Sequence, residues 1–390
     1  MGIDIEKQKS RAIAAIDRRR EELTRLSLKI HRNPELGFQE FKACRWLTEY
    51  LEKNGFEVEK PYCRMETAFR ASYGSGEPAI ALLAEYDALP DVGHACGHNI
   101  ICTAAVGAAL AVKETVDRAG GRVLVIGTPG EEIYGGKVMM AERGAFSDID
   151  AAMMVHPSIS DIANTQALAC IGLEVDFKGK AAHAAASPEM GINALEAMIQ
   201  AFNNINSLRQ HIDEKARIHG IITRGGEAAN IVPAATSGNF LVRAADEAYL
   251  EILKSKVLNC FKAASTATGA RLKYRWTSYY APIKSNPALI ELFSHNMAKL
   301  GRRMGSASGT ALGSSDVGNV SVVVPTIHPM IAIAPTDTPV HSPGFASAAA
   351  SEEGMRGLID GAKALAMTAI DLIAWTEALD SVRKDFFDSR

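Results

Sequence analysis

Cysteine is scarce in this chain of 390 residues, and its 6 copies are scattered at positions 44, 63, 96, 102, 170 and 260. A disulfide-stabilised secreted scaffold would need a denser and more regular set, so that class of protein is excluded. An excess of positive charge is also missing, because the net charge is −3. This balance argues against nucleic acid or an acidic membrane surface as a partner.

Long apolar runs are missing as well. The longest run, about Ile100 to Val112, is well short of the roughly 20 residues that span a bilayer. The first residues are charged and contain no apolar signal core. We therefore expect a cytoplasmic protein without a membrane partner.

The composition is that of a globular protein, with 47% hydrophobic and 22% charged residues. The length exceeds one ordinary core, so we expect two domains. In the first part of the chain, the apolar strand 79–84 precedes an alanine-rich helix ending near Ala119, and strands follow at 123–126 and 151–155. This order predicts an α/β domain whose sheet binds ligands at the carboxyl ends of its strands.

The pattern changes near Gly172, where hydrophobic and polar residues begin to alternate. The predicted order βαββαβ is typical of a small antiparallel α+β domain. Helical patterns return after about Ser285. We therefore predict a first domain made of residues 1–168 and 285–390, interrupted by an inserted domain at 169–284.

A run of chemically active residues follows the first buried strand. Cys96 and His98 lie two positions apart, and Gly97 allows the sharp turn they need to converge on one ion. Thiolate and imidazole are ligands of zinc-like ions. Asp87, at the preceding strand end, is a candidate hydrogen-bond partner for an imidazole. For His94, a site role and a spectator role are both left open.

The other candidate ligands are weak signals when each is taken alone. Glu131 and Glu132 could simply open a helix, since acidic residues favour helix N-termini. His156 and His341 each lie close to a proline and could be ordinary loop residues. Together with the cysteine motif, however, the set predicts a two-metal hydrolase in which one glutamate stays free as the base.

These motifs resemble the hippuricase-like amidohydrolase branch of the aminoacylase/glutamate-carboxypeptidase metallopeptidases. The segments that carry the resemblance are Asp87–Pro90, His94–His98, Glu131–Glu132, His156–Pro157 and Gly179–Ala184. Within that branch the chain is similar to aminobenzoyl-glutamate hydrolase subunits and related dipeptidases, mainly through His219–Ala244.

The resemblance implies a zinc-exopeptidase-like fold, which is a catalytic α/β/α domain with a mostly parallel central sheet. A ferredoxin-like α+β domain, used as a lid and for dimerisation, would interrupt it. The implied cofactors are two divalent metal ions per subunit, zinc or alternatively manganese. The implied assembly is a homodimer or a higher homo-oligomer.

The resemblance also assigns roles to individual residues. The implied metal ligands are Cys96, His98, Glu132, His156 and His341. Cys96 would be shared by both ions, with His98 and Glu132 on one side. Asp87 would accept a hydrogen bond from the imidazole of a metal ligand.

Further roles concern the substrate. Glu131 would be the general base and later the proton donor, and His183 would polarise the scissile carbonyl in the partner subunit's site. Asn230 and Arg243 would bind the substrate carboxylate, for which a planar guanidinium is well suited.

The predicted activity is hydrolysis of the amide bond in small N-acyl amino acids, aminobenzoyl-glutamate or dipeptides with a free carboxylate. The alternatives are an aminopeptidase acting on short peptides, a catalytically silent metal-binding protein of the same fold, and a cysteine hydrolase that uses Cys96. Three positions depart from the family pattern. They are Glu85, where related branches have a metal-binding histidine, Asn99, where aspartate is common, and Gly130, where alanine is usual before the acidic pair.

Overall fold

The computed structural model describes residues 3–306 and 313–388. The chain divides into two compact units. Unit 1 comprises Met1–Gln166, Ile283–Ala311 and Asp316–Arg390, and unit 2 comprises Ala167–Pro282 and Leu312–Ser315. The parts of the predicted domain ranges at residues 1–2, 307–312 and 389–390 lie outside the described residues.

The regular elements are numbered along the whole chain. The strands are β1 (Glu57–Glu59), β2 (Phe69–Ser75), β3 (Ala79–Glu85), β4 (Gly121–Thr128), β5 (Ala151–Met153), β6 (His156–Ser158), β7 (Ile162–Asn164), β8 (Ala169–Lys178), β9 (Arg217–Arg224), β10 (Ala235–Ala244), β11 (Arg271–Tyr280), β12 (Gly305–Ser306), β13 (Thr326–Ile327) and β14 (Met330–Ala332). The α-helices are α1 (Ile5–Arg18), α2 (Arg20–His31), α3 (Phe41–Lys53), α4 (His98–Ala119), α5 (Glu131–Tyr134), α6 (Gly136–Glu142), α7 (Ala194–Leu208), α8 (Glu247–Thr268), α9 (Pro287–Lys299), α10 (Val317–Ser321), α11 (Pro343–Ala348), α12 (Glu352–Ala374) and α13 (Thr376–Asp388).

Unit 1 is built on a six-stranded sheet with the order β1-β2-β4-β3-β5-β13. The pairs β3–β4, β3–β5 and β5–β13 are parallel, whereas β1 and β2 form an antiparallel edge. Every residue of β3 is buried, as expected of a strand covered on both faces. The predicted α/β class with a mostly parallel central sheet is therefore confirmed, and the carboxyl ends of β3, β4 and β5 lie along one edge of that sheet.

Helix α4 lies at the centre of unit 1, packed against β3 and α12. By length and composition it could cross a membrane, but 89% of its most apolar 18-residue window is buried inside the protein. Burial on this scale is typical of the core helix of a globular unit.

Two long helical patterns are broken in the structure. The hydrophobic period of the sequence predicts one long helix from about Ile5 to His31. The structure divides this segment into α1 and α2 at Arg19, whose N–H donates to the carbonyls of Asp17 and Ile16. Near the C-terminus, Ser351 starts α12 by accepting a hydrogen bond from the N–H of Gly354 at 3.1 Å. The cap at Arg19 satisfies carbonyl groups and the cap at Ser351 satisfies an N–H group, and each marks the end of a helix.

Unit 2 contains the predicted βαββαβ order, with the antiparallel sheet order β11-β8-β10-β9. Helices α7 and α8 cover one face of this sheet, and short 3₁₀ turns occur at Pro188–Met190 and Arg209–His211. The core includes Phe240 and Phe261, whose ring centroids are 4.9 Å apart in an edge-on arrangement.

A small second sheet of unit 1 was not predicted, because its strands are too short to show a period. Its order is β12-β7-β14-β6, and His156 is the first residue of β6. The sheet therefore holds the backbone of His156 in place.

A buried polar cluster joins α1, α9 and α12 in unit 1. The Nζ of Lys9 lies 2.6 Å from Oδ1 of Asp371 and donates to Oδ1 of Asn296 at 2.9 Å. The amide of Asn296 in turn donates to Oδ2 of Asp371 at 2.9 Å. All three side chains are buried, so each depends on the others for its hydrogen bonds.

We predict that Asp371→Asn lowers the free energy of unfolding by about 3 kcal/mol, because Lys9 would keep a buried charge without its counterion. Urea unfolding of the variant and the parent protein measures the difference. Glu49→Gln is the control, since Glu49 is exposed and 3.9 Å from Arg45, and it should change stability little. A loss below about 1 kcal/mol for Asp371→Asn would contradict the prediction.

Candidate metal centre

The cysteine motif lies between the end of β3 and the start of α4. Gly97 has a φ of 78° and directly precedes His98, the first residue of α4. A Cβ at Gly97 would lie 2.8 Å from Cγ of Pro157, which is too close. Glycine is therefore needed here both for the left-handed backbone and for the close approach of the loop that carries His156.

Cys96 lies between two imidazoles. Its Sγ is 3.5 Å from Nε2 of His156 and 3.4 Å from Nε2 of His341. With ordinary zinc bond lengths, a thiolate and an imidazole on one tetrahedral ion are separated by about 3.6 Å. The sulfur is thus spaced to share one ion with each histidine.

Candidate ligand atoms within 4.8 Å of one another form two groups around this sulfur. One group is Cys96, His98 and His156, and the other is Cys96, Glu132 and His341. This division differs from the sequence-based one, which paired His98 with Glu132. The Glu132 carboxylate nevertheless lies between the groups, 3.7 Å from Nε2 of His98 and 3.8 Å from Nε2 of His341.

The imidazole rings of His98 and His156 are oriented by hydrogen bonds at Nδ1, the ring nitrogen that faces away from the centre. Nδ1 of His98 donates to Oδ1 of Asp87 at 3.1 Å, and Nδ1 of His156 donates to the carbonyl of Pro157 at 2.7 Å. Oδ2 of Asp87 also accepts from the N–H of Glu132 at 3.0 Å. Both rings therefore direct Nε2 towards the centre, as metal-binding histidines do.

His341 is fixed through its backbone. It has a φ of 63°, which is unusual for a residue other than glycine. Its N–H donates to the carbonyl of Ala95 at 3.1 Å. The loop before α11 is therefore attached to the cysteine motif.

The buried polar atoms at this centre fit a bound cation. Nε2 of His98 and Oε1 of Glu132 are buried and have no hydrogen-bond partner among the described residues. Buried polar atoms without partners are costly, and cations bound by the two ligand groups would satisfy both atoms. The donor set of one thiolate, three imidazoles and carboxylates suits zinc-like divalent ions.

The pKa shifts favour the same interpretation. Burial raises the pKa of the Cys96 thiol to about 12, so its thiolate form requires a cation. Burial lowers the pKa of His156 to about 4, which keeps its imidazole neutral and able to bind a metal. Burial would also lower the pKa of His98, but Glu85 and Asp87 raise it well above its usual value.

Glu131 opens α5 directly after Gly130, which has a φ of 71°. Burial and the nearby carboxylates of Glu85 and Asp316 raise the pKa of Glu131 well above its usual value. A carboxyl group with a raised pKa accepts a proton more readily than an ordinary carboxylate. This property suits a general base.

Several residues at the centre were missed as functional candidates, namely Glu40, Lys137, Asp316 and His328. Oε1 of Glu40 accepts from the N–H of Gly130 at 2.9 Å and so supports the turn before Glu131. Lys137 contacts both Glu85 and Asp316. The ring of His328 lies edge-on to that of His156, with centroids 5.3 Å apart.

The signals for these residues were faint. His328 precedes a proline, as His156 does, and this repeated dipeptide was the available signal. His94 is buried, with its ring centroid 6.0 Å from that of His31. Among the described residues, His94 belongs to neither of the ligand groups around Cys96.

The predicted substrate residues lie in unit 2. His183 and Asn230 are exposed and adjacent, because the N–H of Ala184 donates to the carbonyl of Asn230 at 3.0 Å. Nδ1 of His183 accepts from the N–H of Ala186 at 3.1 Å. Arg243 lies on β10, opposite Cys170 of β8. The roles assigned to these residues remain predictions.

The family model described as peptidase family M20/M25/M40 matches residues 81–367. The Xaa-Arg dipeptidase of Mus musculus is 38% identical, over 98% of this chain and 93% of its own length. A p-aminobenzoyl-glutamate hydrolase chain of Escherichia coli is 37% identical, over 72% of this chain and 64% of its own length.

Two solved structures have the same fold. A dinuclear metal-binding peptidase of the M20 family from Bacillus subtilis superimposes with a TM-score of 0.70 at 20% identity, covering 91% of this chain and 98% of its own. An aminobenzoyl-glutamate utilization protein from Klebsiella pneumoniae gives a TM-score of 0.73 at 18% identity, covering 92% and 98%.

We predict a pH-dependent contribution of Glu40 to stability. Burial and the charge of Asp87 raise its pKa from 4.5 to about 7, so the protonated form favours the folded state. That contribution is complete below pH 4.5 and is lost as the pH rises through about 7. Between pH 5 and 8 the parent protein should lose about 3 kcal/mol relative to Glu40→Gln.

Urea unfolding at several pH values, with a chelator present to keep metal binding constant, measures this difference. Equal slopes for the parent protein and Glu40→Gln would show that the carboxyl group titrates normally.

Proposed function

Because the chain belongs to peptidase family M20/M25/M40, we propose that it is a metal-dependent amide hydrolase cleaving dipeptides or other small N-acyl amino acids. The family match confirms the resemblance found in the sequence. The observation that carries the proposal is the position of Cys96, whose Sγ lies 3.5 and 3.4 Å from two imidazole nitrogens that belong to different ligand groups.

The proposed cofactors are two divalent ions, zinc or manganese, held by the two groups around Cys96. Such ions would polarise the amide carbonyl and lower the pKa of the attacking water. The centre contains four buried carboxylates, and their negative charge favours the binding of more than one divalent ion. They belong to Glu85, Asp87, Glu132 and Asp316. The raised pKa of Cys96 argues against the cysteine hydrolase, because a thiol with a pKa of about 12 is a poor nucleophile.

Glu131 is proposed to take the proton from the attacking water and to deliver it to the departing amine. Its raised pKa supports this role, because the carboxyl group can hold the proton between the two transfers. Replacing Glu131 should therefore affect the reaction without removing a ligand.

The substrate is proposed to carry a free carboxylate, which Asn230 and Arg243 would bind. The Xaa-Arg dipeptidase relative supports dipeptides as substrates. In a homodimer, His183 would serve the metal centre of the partner subunit. Since Nδ1 of His183 accepts a hydrogen bond from Ala186, Nε2 carries the proton and can donate to a developing oxyanion.

We predict that Glu131→Gln lowers kcat by about 10²- to 10⁴-fold and leaves the metal content unchanged. The measurements are kcat on a panel of Xaa-Arg dipeptides and aminobenzoyl-glutamate, and the metal content of each protomer by elemental mass spectrometry. Exposed Glu49→Gln is the matched control and should behave like the parent protein. Near-normal turnover by Glu131→Gln would exclude it as the base.

A second prediction tests the role of His183. His183→Ala and Glu131→Gln should each be nearly inactive alone. A dimer containing one subunit of each variant would have one intact site, so mixed and re-associated subunits should recover roughly a quarter of the parent activity. No recovery, with mixed dimers verified by mass spectrometry, would mean that His183 does not act across the dimer.

A further inference from the structure

The helical turn that begins with Glu131 is too short to fix its own position. Helix α5 has 4 residues, and it lies between Gly130, with a φ of 71°, and Gly135, with a φ of 65°. Isolated helices shorter than about 12 residues are marginal even when they consist of good helix formers. Contacts from outside α5 must therefore hold Glu131 at the candidate centre.

Two carboxylates outside α5 hold this turn through backbone N–H groups. Oε1 of Glu40 accepts from the N–H of Gly130 at 2.9 Å, directly before Glu131. Oδ2 of Asp87 accepts from the N–H of Glu132 at 3.0 Å, directly after Glu131. The backbone of Glu131 is thus held on both sides.

Glu40 is itself fixed in place. It is fully buried, and its carbonyl accepts from the N–H of Cys44 at 3.0 Å near the start of α3. The ring of Phe38 lies against the same turn, because a Cβ at Gly130 would be 3.0 Å from Cε1 of Phe38. A fixed acceptor and an adjacent ring together leave Gly130 little freedom to move.

The same stretch of chain, residues 35–40, also contacts the loop that contains Asp87. The carbonyl of Glu35 accepts from the N–H of Ala88 at 2.9 Å. Oε2 of Glu35 accepts from two N–H groups in the first turn of α3, at 2.9 and 3.0 Å. The loop after β3 and the turn after β4 are therefore both attached to the 35–40 segment.

We propose that Glu40 is a positioning residue for Glu131 and that it acts through its hydrogen bond to Gly130. The 35–40 segment thereby fixes Glu131 and Asp87 on a common support. This inference rests on the proposed function, because it concerns proton transfer by Glu131. Displacement of a reacting group by about 1 Å can cost about 100-fold in rate, so the effect of Glu40 is expected in kcat.

The test is Glu40→Leu, which is similar in size but has no atom that can accept from Gly130. The N–H of Gly130 would then be buried without its acceptor, and the turn would shift. We expect kcat on Xaa-Arg dipeptides to fall by at least about tenfold, with KM and the zinc content per protomer little changed. Glu40→Gln keeps an oxygen for Gly130 and should retain most of the kcat of the parent protein.

A double-mutant cycle shows whether Glu40 acts through Glu131. In the Glu131→Gln background the base is already missing, so adding Glu40→Leu should lower kcat by no more than about twofold. If the two losses multiply instead, Glu40→Leu damages the centre in general and the inference is wrong. A parent-like kcat for the single variant Glu40→Leu would also overturn it.

Hydrogen–deuterium exchange gives a measurement that does not depend on activity. A peptide containing Gly130 should exchange faster in Glu40→Leu than in the parent protein or in Glu40→Gln. Asp371→Asn is the matched control, since it removes another buried carboxylate of unit 1, one that contacts Lys9 and Asn296. It should leave kcat and the exchange of this peptide unchanged.

Faster exchange with an unchanged kcat in Glu40→Leu would refute the positioning role while leaving the proposed function intact. An inactive parent protein would instead overturn the proposed function, and the inference with it. If Glu40→Leu does not fold, Glu40→Asp replaces it, because the shorter carboxylate keeps the charge but does not reach Gly130. The same loss of kcat is then expected, and a parent-like kcat would count against the inference.

Discussion

The rest of unit 1 depends on one constraint, which is the negative charge of several buried carboxylates close to Cys96. Glu85, Asp87, Glu132 and Asp316 are withdrawn from water around one cysteine, and Lys137 offsets only part of their charge. Burying uncompensated charge costs several kcal/mol per group unless it is paired. Cation binding and the stability of this region are therefore linked, because ions that bind only the folded protein stabilise it.

The sheet makes this concentration possible. The carboxyl ends of parallel strands place their following residues at one edge, so Asp87 after β3 and Glu131 after β4 lie near each other. The loops are then held by specific contacts, such as Gly97 against Pro157 and His341 against Ala95. The candidate ligands and the base lie in loops or in the elements that directly follow them, and buried backbone sets their positions.

The fold class could be predicted from the sequence, because the buried strands and the helices between them are recognisable by pattern. The family and the amide hydrolase chemistry could be predicted because the ordered motifs resemble those of a known family. Lys137 could not be predicted, since its partners Glu85 and Asp316 are 52 and 179 residues away and share no motif with it. His328 was passed over because a histidine before a proline is common in loops. The break at Arg19 depends on local backbone hydrogen bonds and not on the hydrophobic period. A prediction from the hydrophobic period alone therefore makes the first helix too long.

Asp87 touches the ligand sets of both proposed ions, through the ring of His98 and the N–H of Glu132. Because each oxygen of Asp87 holds a different candidate ligand residue, a displacement of this one carboxylate would disturb both ligand sets together. The two proposed metal positions are thus connected in two ways, through the sulfur of Cys96 and through the carboxylate of Asp87.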